Sequence, residues 1–145
     1  MRAGCANFDL PALEEAIKTA HAAGVKVYVT CNILPRNHDI ALLPEYFTYL
    51  NHIGADALII SDIGTMELAK RYAPQCALHI STQFGVVNYA TATALYHMGA
   101  SRVVLARELS MDEIREIRRQ TPPELELEAF VHGAICMSYS GRCVI

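Results

Sequence analysis

Five short apolar runs recur along this 145-residue chain, and a stretch with helical spacing precedes each one. The runs are VKVYVTCNIL (25–34), ADALIISDIG (55–64), CALHISTQFG (76–85), ASRVVLAREL (100–109) and ELELEAFVHG (124–133). Each apolar core is about four to six residues long, and most are apolar on both faces. Strands of a parallel sheet covered on both sides have this pattern. The last run differs: Leu125, Leu127 and Ala129 alternate with glutamates before it turns continuous.

The intervening segments carry helix periodicity and helix punctuation. In 10–24, Leu13, Ile17, Ala20 and Ala23 share a side, and in 42–54 Tyr46, Phe47, Leu50 and Ile53 do. Further helices are predicted over 65–74, 88–99 and 110–121, with Thr65, Asn88 and Ser110 as N-caps. Ser110 and Glu113 have capping-box spacing. Gly24, Gly54 and Gly99 fall where a helix ends on a left-handed residue, and Pro74 and Pro122 close two more helices.

This order, α-β repeated five times, forces parallel pairing with right-handed crossovers. The predicted fold class is α/β, either an open doubly wound sheet or a TIM-like (β/α) barrel. No GxGxxG follows the first strand and no GxxxxGK[ST] occurs, which disfavours dinucleotide-binding and excludes P-loop versions. Five strands cannot close an eight-stranded barrel. Residues 1–145 are therefore expected to form a single partial barrel domain, truncated at both ends, whose uncovered edges promote homo- or hetero-oligomers. With 52% hydrophobic and 19% charged residues, the chain is too apolar to be disordered, yet no apolar run is long enough for a membrane helix. The start lacks a secretory h-region, so a cytoplasmic location and no membrane partner are expected. A net charge of −3 argues against a generic polyanion binder. Five cysteines at 5, 31, 76, 136 and 143, without CxxC spacing, suit a reducing compartment rather than a disulfide framework.

In parallel α/β folds the chemistry collects at the carboxyl ends of the strands. Here those ends read Thr30-Cys31-Asn32, Ser61-Asp62, Ser81-Thr82-Gln83, Arg107-Glu108 and His132-Gly133. Asp62 and Gln83 are candidate substrate-binding residues, and Asp62 equally suits a helix cap. Arg107 is a candidate to hold a carboxylate or phosphate bidentately, and Glu108 to orient it or move a proton. A plain ion pair at the rim explains the same two residues. His21, His52 and His97 precede helix-ending glycines, where a partly charged imidazole favours the helix dipole. His38 is expected in a solvated loop. Arg115, Arg118 and Arg119 form a basic patch offset by Glu113 and Glu116. Only His132 adjoins a dense cluster, EAFVHGAICMSYSGRC (128–143), with Glu128, Cys136, Tyr139, Ser140, Arg142 and Cys143. Six residues separate the two cysteines, longer than a zinc knuckle's spacer. Two thiolates supply at most half of a four-cysteine cluster site. Cys31 and Cys76 are the other thiols to weigh.

That sixteen-residue run follows E-x-F-x-H-G-x-x-C-x-x-x-S-G-x-C and closely resembles the signature of the peptidase U-32 family. VKVYVTCNIL, ADALIISDIG, HISTQ and RVVLARELS also resemble the family's successive strands, so the likeness covers essentially the whole chain. The chain looks most similar to the subgroup of tRNA hydroxylation proteins. The resemblance implies a TIM-like barrel of which these are the middle five strands. It implies oxygen-independent hydroxylation by the full-length protein, of the tRNA wobble uridine to 5-hydroxyuridine with prephenate as co-substrate. The family alternatives are a collagenase-like peptidase, and hydroxylation of a ribosomal RNA cytidine or of a quinone precursor. It further implies a [4Fe–4S] cluster on four cysteines, with Cys136 and Cys143 matching two ligands and the other two lying beyond Ile145. In that reading His132 and Glu108 handle protons, Arg107 holds the anionic donor, and tRNA is the partner. Neither HExxH nor GxSxG is present, so a peptidase would rest on a Cys136–His132 dyad.

Overall fold

The computed structural model describes residues 7–133 and 138–141. The chain divides into two compact units, Met1–Leu78 and His79–Ile145.

In the first unit, α1 (Leu10–Ala22) leads to β1 (Tyr28–Cys31), a one-turn α2 (Asn37–Ile40), α3 (Leu43–His52), β2 (Ala57–Ile60) and α4 (Ile63–Tyr72). The start of α1 is set by Asp9, whose Oδ1 accepts from Ala12 N at 2.8 Å. β1 and β2 pair in parallel with Tyr28 beside Ala57 and Cys31 beside Ile60. Ile17, Phe47, Leu50, Leu58, Ile60 and Met66 are essentially fully buried and form the core. Phe47 and Leu50 come from the predicted stripe of α3, which packs on α4. Asp56, in the turn before β2, accepts from Val27 N at 2.7 Å and hydrogen-bonds His21 Nε2 at 2.8 Å. The His21 ring therefore has a specific carboxylate partner, beyond the helix-end role expected from its position.

β3 (Ala77–Ile80) carries the chain into the second unit. There a 3-10 turn (Thr82–Phe84) precedes α5 (Tyr89–His97), β4 (Arg102–Val104), α6 (Met111–Gln120) and β5 (Glu126–Glu128), and a second 3-10 turn spans Tyr139–Gly141. β4 pairs in parallel with β3 (His79 beside Arg102) and with β5 (Arg102 beside Glu126). Val86, Leu95, Val103, Leu105, Ile117 and Leu125 are buried. Among the described residues five strands thus alternate with helices, and the chain has the expected α/β class; five is short of the eight that close a barrel.

Three expectations need correction. Asp62, not Thr65, caps α4: its Oδ1 accepts from Thr65 N at 2.7 Å and Thr65 Oγ1 at 3.0 Å. The helix begins as soon as β2 ends, so the cap falls three residues earlier than predicted. His38 lies in α2 rather than a loop, because the Asp39 carboxylate accepts from Arg36 N and closes a helical turn. The fifth strand stops at Glu128, well short of residue 133, and its last rung is Leu105 N donating to Glu128 O at 2.8 Å. Phe130 to Gly133 therefore belong to the following loop, and all four are exposed.

Candidate functional site

The predicted site residues divide between the units. Asp62, in the first, is half-buried, and its carboxylate works as a helix cap. A Cβ at Gly64 would come within 3.2 Å of Asp62 Oδ1, so the glycine leaves room for that cap. Ser61 Oγ, beside it, donates to Asn32 O at 3.0 Å and ties the loop after β1 to the end of β2.

Gln83, Arg107, Glu108 and His132 lie in the second unit. Gln83 sits half-buried in the Thr82–Phe84 turn. This turn is fixed to the end of β4 by Thr82 Oγ1 donating to Leu105 O at 3.0 Å and by Ala106 N donating to Val86 O at 3.0 Å. Those bonds carry the backbone straight from β4 to Arg107 and Glu108, which point to different partners. The Arg107 guanidinium carbon lies 4.2 Å from the centre of the Phe130 ring, a cation–π contact.

Glu108 grips Ser140 with both carboxylate oxygens. Oε1 accepts from Ser140 N at 2.6 Å and Oε2 from Ser140 Oγ at 2.5 Å. Ser140 is fully buried and left-handed, with φ 46° and ψ 31°. A non-glycine residue there costs about 1–2 kcal/mol, which the two charge-assisted bonds offset. The Ser140 hydroxyl holds the Glu108 carboxyl below the usual range; burial opposes it, and the backbone N–H groups of Ser140 and Glu108 and, least, the Arg107 charge add to the lowering. Glu108 is therefore an ionised anchor for the Tyr139–Gly141 turn. Its two oxygens go to Ser140 rather than to His132, which is exposed four residues past β5.

Cys136 and Cys143 lie outside the described residues. Among the described residues no three histidine, cysteine or carboxylate side chains are grouped to hold a metal ion. Cys31 and Cys76 are the free cysteines among the described residues. Both are buried; burial pushes the Cys31 thiol up to about 11 and the Cys76 thiol upward too. The basic patch on α6 is also accounted for internally. Arg115 pairs with Asp112, Arg119 with Glu116, and Arg118 donates to the carbonyls of Leu125, Thr121 and Pro122.

Two residues escaped the sequence reading. Phe130 looked like strand interior, and Ser140 was one polar residue in a cluster, with nothing to mark its link to Glu108. The only local cue for Ser140 is the glycine after it, which signals a turn without naming its anchor.

The chain is 44% identical over 139 residues to tRNA hydroxylation protein P of Escherichia coli (strain K12), covering 96% of this chain and 30% of that protein. It is 37% identical over 140 residues to the 23S rRNA 5-hydroxycytidine C2501 synthase of the same strain, covering 97% of this chain and 21% of the synthase. The chain thus spans less than a third of these relatives' length. Among solved structures, the U32 peptidase Mk0906 shares its fold with a TM-score of 0.70 at 18% identity, over 83% of this chain and 51% of that one. The model of Peptidase family U32 matches residues 1–145, and the chain belongs to that family.

Proposed function

We propose that the protein containing this chain hydroxylates RNA, with the tRNA wobble uridine as substrate and prephenate as co-substrate. The observation that carries the reading is the 44% identity to a tRNA hydroxylation protein across 96% of the chain. Likeness to a ribosomal RNA cytidine hydroxylating relative supports the same reaction class. The arrangement after β4 suits it chemically. Arg107 supplies a fixed cation able to hold a carboxylate bidentately, and Glu108 keeps the neighbouring turn in register. His132, exposed in the adjoining loop, would exchange a proton with bound substrate. Cys136 and Cys143 would hold two corners of an iron–sulfur cluster, whose chemistry is electron transfer; the remaining ligands would come from outside the described residues. The peptidase alternative has a fold likeness at 18% identity behind it, and fold does not carry activity.

The test is wobble-uridine hydroxylation in a deletion strain complemented with the full-length protein. Wild type restores the modified nucleoside, read by mass spectrometry of digested tRNA. Arg107→Met lowers it at least about tenfold, the loss of one charge-assisted contact. Cys136→Ser and Cys143→Ser abolish it. Full modification with both serine variants would remove the cluster from the reading. Iron-independent turnover of gelatin that needs Cys136 would replace the whole reading with the peptidase.

A further inference from the structure

Among the described residues of the second unit, three aromatic rings are about half-exposed: Tyr89 at the start of α5, and Phe130 and Tyr139 in the segment after β5. Phe130 is 52% and Tyr139 54% exposed, and Val131 beside Phe130 is almost wholly so. Two consecutive residues bear on the two segments that carry Phe130 and Tyr139. Arg107 lies against the Phe130 ring, and Glu108 binds Ser140, the residue after Tyr139. Tyr139 is further placed beside Gly85, where a Cβ would stand 3.8 Å from Tyr139 Cε1. Gly85 has φ +79°, a left-handed conformation that glycine adopts without cost. The rings are thus presented by backbone and ion contacts rather than buried by packing. Keeping large aromatic surface in water is unfavourable, and a ring beside a cation is suited to a flat, electron-rich partner.

We propose that Phe130 and Tyr139 form a stacking surface for unpaired nucleobases of an RNA substrate, flanking the Arg107 that the reading above assigns to the anionic co-substrate. This rests on the RNA-hydroxylation reading above and adds to it which residues engage the bases. Glu108 acts as a positioning residue, because it holds the turn that carries Tyr139. An unpaired loop exposes the base faces that such rings need, whereas a duplex hides them.

The experiment measures binding of a labelled stem-loop RNA to the full-length protein, beside the same sequence paired with its complement. Phe130→Leu and Tyr139→Leu each weaken loop binding at least about fivefold, the lower end for one base–aromatic stack. Phe130→Tyr and Tyr139→Phe, which keep the rings, bind as wild type. Binding of the duplex is unchanged in all four, and in the modification assay the leucine variants raise KM for RNA with kcat preserved. Unaltered circular dichroism separates stacking from misfolding. Leucine variants that bind the loop like wild type, or that lose loop and duplex together, overturn the stacking surface while RNA hydroxylation stands. A full-length protein that binds no RNA, with hydroxylation intact in the deletion strain, overturns both.

Discussion

Arg118 shows how one side chain's role depends on what the chain brings to it. Beside Arg115 and Arg119 it reads as part of a cationic surface, yet its guanidinium is spent on three carbonyls of the α6–β5 connection. Those carbonyls have left the helix and are not yet in the strand, so they need a donor, and a planar fork satisfies several together. Arg118→Met should destabilise the protein by about 1–3 kcal/mol, measured by urea unfolding, because it takes this donor from the Thr121 and Leu125 carbonyls, while Pro122 O keeps the Leu125 N–H. Arg119→Met should change stability by less than about 0.5 kcal/mol, since its pair with Glu116 is exposed. Equal effects would refute the distinction. Glu108 teaches the same lesson for the site. Its identity as a carboxylate near a strand end was legible, but its partner lies 32 residues away.

Among the elements, α6 was the most fully legible because its signals are local. Ser110 Oγ accepts from Glu113 N at 3.4 Å, and Glu113 Oε2 accepts from Ser110 N at 2.7 Å, completing the predicted capping box. Ser110→Ala should cost about 1 kcal/mol, and Ser110→Asp should recover most of it, by thermal unfolding. Asn88 caps α5 as its position implied, its Oδ1 accepting from Thr91 N at 2.8 Å. The left-handed glycines at 24, 54 and 99 follow the same rule. The misplaced start of α4 was of another kind. Asp62 and Thr65 are both good caps, and only the length of β2 decides between them. β5 ended early for a similar reason: its apolar run continues, but the partner strand β4 is only three residues long.

Across the whole molecule, carboxylates that bind N–H or O–H groups tie stability to pH. Burial works against the charge on Asp56, but Val27 N–H, His21 and Lys26 bring its pKa below the ordinary value. Glu108 is lowered by Ser140. A lowered folded pKa gives stabilisation that is complete above the unfolded value, about 4, and is lost as pH falls through the folded value. Thermal midpoints should therefore hold steady from pH 7 to about 4 and drop below it, and Asp56→Asn should flatten part of that drop. An unchanged acid limb would show that Asp56 is not a source of it. The order of strands and helices, their parallel class and most helix ends could be read directly from residue spacing, because periodicity and capping act over three or four neighbours. The Ser140 anchor, the Arg107–Phe130 contact and the neutralised arginines could not. The Ser140 anchor and the Arg107–Phe130 contact join residues far apart in the chain, whereas the arginines of α6 find partners within seven residues that spacing alone does not single out; a sequence records which groups are available but not which partner will take each hydrogen bond.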